Sequence, residues 1–223
     1  LFVEKDKVYM KTVGGKEQLH TLYRRIDDLY LDPKVFNKKS LIGIPGIFKA
    51  WRKGNISILN APGSGVADDK VVYSYVPKMI KFYLNEEPLI NQVETFLCHE
   101  IKQRNYVIKN ISKLVVKPAN ESGGYGILMG PTASTKEKND CIKKIKKNPR
   151  NYIAQPLINL STSPTLINNQ LDPRHIDLRP FILSGANNYV TQGGLTRVAL
   201  RKGSMIVNSS QGGGSKDTWI LDI

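Results

Sequence analysis

The sequence predicts an α+β fold with a substantial antiparallel sheet, because helical and strand periodicities are mixed along the chain. Of its 223 residues, 40% are apolar, which is enough to bury a core. Apolar residues at three- and four-residue steps predict a helix over residues 68–84, which Pro77 should kink or split. Residues 194–200 and 205–207 instead alternate apolar and polar side chains, as half-buried antiparallel strands do.

Turn-forming residues separate the remaining predicted elements. Gly14 and Gly15 predict a hairpin between strands at residues 8–12 and 19–26. Ser134 and Glu137 form a capping box that starts a helix, and Pro149 stops that helix after residue 147. The other predicted helices span residues 45–53 and 98–109, and the other predicted strands span residues 56–59, 114–116, 125–129, 152–157 and 176–183.

The composition narrows the class of protein. No apolar run reaches the ~20 residues that cross a bilayer, so we expect no membrane span. The two cysteines, Cys98 and Cys141, lie far apart and outside any C-x-x-C motif, which predicts reduced thiols in a cytoplasmic protein. The three histidines are scattered, so a zinc site is not supported.

The net charge of +14 suggests an anionic partner, but much of this charge is local. Six lysines crowd the helix that Ser134 caps, and they indicate a solvated face more simply than a nucleic-acid site. No RNA-recognition or helix-turn-helix pattern is visible, so we expect no nucleic-acid partner. The six are Lys136, Lys138, Lys143, Lys144, Lys146 and Lys147.

Lys117 carries the strongest local signal for chemistry. It ends the buried strand 114–116, and Pro118 fixes the direction in which the chain leaves. The glycine-rich turn that follows, residues 122–126, can bring backbone N–H groups close to a phosphate. A lysine with nearby free amides suits a triphosphate, whereas the alternative is an ordinary hairpin turn with a surface lysine.

Two further segments have the character of anion-binding loops. Residues 63–70 form a glycine-containing loop before a helix, where Asp68 and Asp69 suit the helix N-terminus and Lys70 is a candidate phosphate contact. In the C-terminal run, Asp177 and Arg179 share one face of a predicted strand. Residues 208–217 contain three consecutive glycines, which predict either a mobile loop that closes over an anionic ligand or a flexible linker.

Together these segments resemble the circularly permuted ATP-grasp proteins, a bacterial group often described as glutathionylspermidine-synthase-like. A more distant similarity links the same order of segments to eukaryotic glutathione synthetase. The resemblance covers nearly the whole chain, and the long C-terminal run is its most specific part. The segments that carry it are residues 23–28 and 31–33, 60–70, 116–126, 152–156, 174–181 and 193–219.

The resemblance implies two lobes whose antiparallel sheets clasp ATP, in circularly permuted order. We expect residues 1–95 to be a partial N-terminal lobe that holds Lys70, and residues 96–223 to form the nucleotide-binding lobes. The implied activity is ATP- and Mg²⁺-dependent carboxylate–amine ligation through an acylphosphate, with a small-molecule acid and amine as substrates. The alternative is a truncated or non-catalytic nucleotide-binding module. No residue specifies the acid, the amine or the oligomeric state.

The resemblance also implies roles for individual residues. The residues expected to bind ATP are Lys70, Lys117, Ser122, Gly123, Gly124, Tyr125, Gln155, Pro156, Leu157, Asp177 and Asn208. Arg197 and Arg179 are expected at the acyl substrate and the γ-phosphate. Arg25, with Arg24, Asp27 and Asp28, is expected to contact substrate or phosphate; the alternative is a surface loop joined by salt bridges.

Magnesium poses a separate question. Relatives bind it through a Glu-x-Asn pair, and the Glu137-Lys138-Asn139 triplet lies in the capped helix, where it does not suit a metal. The sequence opens without Met, so we expect a chain that begins mid-protein and a true pair upstream of Leu1. Glu121 is the one metal ligand that the resemblance suggests within this sequence.

Overall fold

The chain folds into two compact units, Leu1–Leu89 (unit 1) and Ile90–Ile223 (unit 2). The computed structural model describes residues 1–121, 124–208 and 212–221. Both units contain helices and antiparallel sheets, so the predicted mixture of helix and antiparallel sheet is confirmed.

Unit 1 is built on a three-stranded antiparallel sheet in the order β1-β2-β3, with a separate parallel pair of β4 and β5. Its core contains Val8, Leu31, Ile47 and Ile58, and β2 meets α2 across it. Its elements are β1 (Phe2–Glu4), β2 (Lys7–Thr12), β3 (Gly15–Leu19), β4 (Thr21–Tyr23), α1 (Asp28–Leu31), α2 (Ile47–Arg52), β5 (Ser57–Leu59), α3 (Lys70–Tyr73) and α4 (Val76–Leu84).

Asp32, the residue that follows α1, is fully buried and connects α1 to the start of α2. Its carboxylate accepts hydrogen bonds from the backbone N–H groups of Lys34 (2.9 Å), Gly46 (3.0 Å) and Phe48 (3.1 Å). The bonds from Gly46 and Phe48 satisfy backbone N–H groups that the start of α2 would otherwise leave unpaired. Asp32 is therefore a structural anchor of unit 1.

Unit 2 contains two four-stranded sheets, in the orders β6-β9-β7-β8 and β10-β11-β12-β13. The pairs that β7 and β9 make are antiparallel, as are all pairs of the second sheet. The elements are β6 (Phe96–Leu97), α5 (Ile101–Lys109), β7 (Leu114–Pro118), β8 (Leu128–Met129), α6 (Thr135–Lys147), β9 (Tyr152–Pro156), β10 (Thr162–Ile167), β11 (Gln170–Leu183), β12 (Tyr189–Ala199) and β13 (Gly213–Lys216).

The core of unit 2 lies between the first sheet and helices α5 and α6. Leu114, Val116 and Ala154 of the sheet pack against Val107 of α5 and Ile145 of α6. Because side chains alternate along a strand, Val115, Lys117 and Gln155 belong to the opposite face of the same sheet.

Both cysteines lie in this core as free thiols. Burial, followed by the nearby Cys141, raises the pKa of the Cys98 thiol to about 12, and burial raises the pKa of the Cys141 thiol as well. Thiolate is the reactive form of cysteine, so neither residue is suited to nucleophilic chemistry near neutral pH.

Most predicted elements are present, although some have shifted ends. The capping box at Ser134 is confirmed, and five of the six lysines of α6 are exposed. The helix predicted over residues 68–84 is split into a 3-10 turn (Ser64–Asp68), α3 and α4, with Pro77 in the first turn of α4. The stripe predicted on this segment is not buried within the unit, because α4 contains no buried residue.

Three strand predictions are wrong. The hairpin partner of β2 is β3 (Gly15–Leu19) and not a strand over residues 19–26, where β4 covers only Thr21–Tyr23 and pairs in parallel with β5. Residues 205–207 are not in a strand, and the strand predicted at 125–129 is confined to Leu128–Met129. Gly124 and Gly126 have φ angles of 80° and 71°, which bend the backbone out of the extended conformation before β8.

Candidate functional site

Lys117 is the central residue of the candidate nucleotide site of unit 2. It belongs to the face of the β6-β9-β7-β8 sheet that lies away from α5 and α6. Its ammonium donates a 2.7 Å hydrogen bond to Oε1 of Gln155 on β9. The two residues are diagonal neighbours, because Lys117 is opposite Ile153 and Gln155 lies two residues beyond it. Strand alternation and register therefore place this pair together.

Gln155 is itself fixed from the other side. Its Nε2 donates to Oγ1 of Thr95 at 2.9 Å, and the Thr95 hydroxyl donates to the Val93 carbonyl at 2.9 Å. Gln155 is buried, whereas Lys117 is half-buried. The chain of hydrogen bonds holds the lysine stem in one orientation. Nothing in the sequence around Thr95 indicates this role.

The glycine-rich turn folds back over the end of β7. A Cβ on Gly126 would lie 2.9 Å from Cγ of Pro118, and the φ of Gly126 is +71°. Only glycine suits both conditions without strain. Tyr125 is 69% exposed in this turn, while the predicted nucleotide contacts Ser122 and Gly123 lie outside the described residues.

The predicted ATP-binding residues Gln155, Pro156 and Leu157 fall at the end of β9. Gln155 and Pro156 are the last residues of this strand, opposite Val115 and Leu114, and Leu157 follows them at the surface. The side chain of Gln155 also positions Lys117, a role that the sequence did not indicate.

Asp177 and Arg197 form a bidentate ion pair across β11 and β12. They face each other in the strand register, and the Arg197 guanidinium donates through Nε at 2.8 Å and through Nη2. Hydrogen bonding to Asp177 raises the pKa of Arg197. Arg179 lies two residues along β11, is exposed, and meets no acidic side chain in the described part of the chain.

Part of the predicted glycine loop of residues 208–217 is the strand β13, Gly213–Lys216. Gly213 and Gly214 belong to β13, which pairs with β12. A Cβ on Gly213 would lie 2.2 Å from the Val207 carbonyl oxygen, and its N–H donates to the Asn208 carbonyl at 3.0 Å. The glycine thus allows close backbone packing, so the mobile-lid prediction is wrong for residues 213–216. Ser209, Ser210 and Gln211 lie outside the described residues.

In unit 1, Arg24 is the structural support of a second candidate site. Its guanidinium donates to the carbonyls of Asn60 (2.7 Å), Ile26 (2.6 Å) and Ala61 (3.0 Å), and it forms an ion pair with Asp28. Asp28 in turn accepts a 2.9 Å hydrogen bond from the Gly63 N–H. The predicted substrate role of Arg24 and Asp28 therefore competes with a structural one.

An open cleft of about 520 Å³ lies against this support. Its charged residues are of two kinds, the supporting pair Arg24 and Asp28 and the exposed residues Arg25, Asp27 and Asp68. Its lining residues are Arg24, Arg25, Ile26, Asp27, Asp28, Asn60, Ser64, Gly65, Ala67 and Asp68.

Lys70 is the first residue of α3, as expected for a lysine in a first helical turn. The N-cap is Asp69, whose carboxylate accepts the Val71 N–H at 2.8 Å, so its capping role is confirmed. Asp68 ends the preceding 3-10 turn and does not cap the helix.

Comparison with known proteins identifies the family. The model of the circularly permuted ATP-grasp type 2 family matches residues 1–199. The chain belongs to this family. The permuted ATP-grasp match includes the candidate residues from Arg25 to Arg197, and Asn208 lies beyond it.

Relatives of this ATP-grasp chain occur in several bacteria. An uncharacterized protein of Synechocystis sp. is 56% identical over 222 residues, which cover 99% of this chain and 46% of the relative. One of Mycobacterium tuberculosis H37Rv is 51% identical, with 99% and 40% covered. A Frankia alni protein provisionally named glutamate–cysteine ligase 2-3 is 42% identical, with 99% and 25% covered. The chain thus spans less than half of these relatives.

Glu121, the predicted magnesium ligand, follows the end of β7. Within the described ranges, no three His, Cys, Asp or Glu residues are grouped as a metal ion would require. Glu121 alone does not supply the several oxygen ligands that Mg²⁺ takes. Nor does any helix in the described ranges have the length and apolar character needed to cross a membrane.

Proposed function

We propose that this chain supplies the nucleotide-binding and phosphoryl-transfer part of an ATP-dependent carboxylate–amine ligase. The observation that carries the proposal is the Lys117–Gln155–Thr95 chain beside a glycine turn, in a chain of the permuted ATP-grasp family. The relatives named as glutamate–cysteine ligases agree with an amide-forming reaction.

The reaction would proceed in two steps. A carboxylate oxygen of the acid attacks the γ-phosphorus of ATP and ADP leaves, which gives an acylphosphate. The amine nitrogen then attacks the acyl carbon, and phosphate leaves as the amide forms. Phosphoryl transfer depends mainly on positioning and on neutralising the phosphate charge.

The cations of the chain are suited to that neutralisation. Lys117 is held by Gln155 and would bind the phosphates of ATP, and backbone N–H groups of the glycine turn would add further donors. Lys70 of unit 1 stays a predicted phosphate contact. Mg²⁺ would neutralise further phosphate charge when bound, and Glu121 stays its predicted ligand.

Arg197 and Arg179 would stabilise charge at the transferred phosphoryl group. Asp177 holds the Arg197 guanidinium by its Nε edge, which leaves other N–H donors of the same plane for a ligand. Arg179, two residues along the same strand, adds a second exposed cation. Asp177 would then position Arg197, in addition to its predicted place near the nucleotide.

The substrates are less defined. The similarity to glutathionylspermidine-synthase-like proteins and to eukaryotic glutathione synthetase stays a prediction, and it would favour a glutathione-like acid or a polyamine. The alternative function is a nucleotide-binding module without turnover.

An acylphosphate trap distinguishes the two functions. The chain is incubated with ATP, Mg²⁺, hydroxylamine and each of a panel of carboxylic acids, beginning with L-glutamate. Hydroxylamine takes the place of the amine and yields a hydroxamate. We expect hydroxamate with at least one acid, and a loss of about 100-fold in Arg197→Ala, because a charge-stabilising donor is removed.

Arg201→Ala is the matched control, because Arg201 is exposed in the turn after β12. It should form hydroxamate at the wild-type rate. Nucleotide binding by the wild type with no hydroxamate from any acid would favour the non-catalytic module. Full activity in Arg197→Ala would remove that residue from the reaction.

A further inference from the structure

The cleft of unit 1 is held open by its own hydrogen bonds. Arg24 uses its guanidinium on the carbonyls of Ile26, Asn60 and Ala61, and its side chain is only 8% exposed. Asp28 binds the Gly63 N–H. These bonds join residues 24–28 to residues 60–63 through groups of the chain itself, which fixes this wall of the cleft and lowers the entropy lost on binding.

The other charged residues of the cleft have no such structural task. Arg25, Asp27 and Asp68 line the cleft and are exposed. Asp27 occupies the N-cap position of α1, but its side chain makes no capping hydrogen bond. None of the three side chains has a hydrogen-bond or ion-pair partner in the portion of the chain that is described. One cation and two carboxylates are therefore available to a ligand.

We propose that this cleft binds a small zwitterionic amino compound, a free amino acid or a short peptide, as a co-substrate of the ligase. The inference rests on the proposed function and names the substrate class of its second site. Arg25 would bind the ligand carboxylate through paired N–H donors, and Asp27 and Asp68 would bind its ammonium group. Asn60 and Ser64 add uncharged polar groups.

A polyphosphate fits the same cleft poorly. Three carboxylates line it, those of Asp27, Asp28 and Asp68. Of the two arginines in the lining, Arg24 is already paired with Asp28, which leaves Arg25 as the cation available to a ligand. A triphosphate would bring further negative charges to this acidic lining, and like charges at a binding site are repelled. The cleft and the nucleotide site of unit 2 are therefore suited to different ligands, because the cleft is lined mainly by carboxylates and the nucleotide site contains Lys117.

The size of the cleft agrees with such a ligand. At about 520 Å³ it falls within the range of about 300–1,000 Å³ that is typical of small-molecule sites. That volume accommodates a single amino acid or a short peptide.

Saturation-transfer NMR on the 223-residue chain tests the proposal with defined probes. The probes are the twenty free L-amino acids, putrescine, which lacks a carboxylate, and inorganic tripolyphosphate, which lacks an ammonium. We expect at least one amino acid to bind, and neither putrescine nor tripolyphosphate to displace it. Affinity should fall about tenfold or more in Arg25→Ala and in Asp68→Asn.

Arg52→Ala is the matched control, since Arg52 is exposed on α2 of the same unit and does not line the cleft. It should bind like the wild type. The proposal is overturned if no amino acid binds, if the Arg25 and Asp68 variants retain wild-type affinity, or if tripolyphosphate binds in an Arg25-dependent manner. An ATP titration of the same samples separates this failure from failure of the nucleotide site, because that site uses Lys117.

Discussion

The Lys117→Met variant is expected to lose most of the stabilisation that ATP gives the wild-type chain. Met keeps the length of the stem but removes the ammonium that Gln155 holds in place. Losing a charge-assisted contact to phosphate should raise Kd about 100-fold. At a concentration 100 times the wild-type Kd, the stabilisation would fall from about 2.7 to about 0.4 kcal/mol. Thermal unfolding with and without ATP measures it.

Two further variants test whether the loss of ATP stabilisation is specific to the Lys117 ammonium. Lys113→Met changes the net charge equally at an exposed position just before β7, and should keep the full ATP response. Gln155→Ala removes the positioning group and should give an intermediate loss. A Lys117→Met variant that ATP stabilises as strongly as the wild type would remove Lys117 from the nucleotide site.

Asp32→Ala is expected to have the largest effect on stability, a loss of about 3–5 kcal/mol in unit 1. The reason is that the substitution leaves the buried N–H groups of Gly46 and Phe48 without their acceptor and removes a fully buried carboxylate. Asp32→Asn keeps one side-chain oxygen and should cost less.

Urea unfolding followed by Trp51 fluorescence measures the change in the free energy of unfolding of unit 1. Trp51 lies in α2 with its ring 5.4 Å from that of Phe48, whereas Trp219 is 82% exposed in unit 2. A Trp219→Phe background removes the second signal. Asp140→Ala, on α6 of unit 2, is the control and should leave the Trp51 transition unchanged. If Asp32→Ala also left the Trp51 unfolding transition unchanged, the buried carboxylate acceptor would be dispensable for the stability of unit 1.

The elements that the sequence predicted well are those specified by local chemistry. The capping box of Ser134, the split at Pro77 and the cap at Asp69 depend on residues only a few positions apart. Strands with weak patterns, such as β6 and β10, were missed because long-range pairing and not local propensity specifies them.

The same distinction applies to the candidate site. Lys117 and the glycine turn were identified from one short window, whereas the pairing of Asp177 with Arg197 was not predicted, because it depends on the register of β11 against β12. Thr95 lies 60 positions from Gln155 in the chain and has no local signal. The triple glycine was misjudged because composition cannot distinguish a mobile loop from close backbone packing, as at Gly213.

Isothermal titration of the purified chain with ATP, in Mg²⁺ and separately in EDTA, tests the central claim most directly. The account predicts saturable binding of one ATP per chain, with an affinity between about 1 µM and 1 mM. Stronger binding in Mg²⁺ would agree with a ligase, and equal binding in EDTA would agree with the non-catalytic module. A chain that takes up no ATP under either condition would contradict the nucleotide site at Lys117.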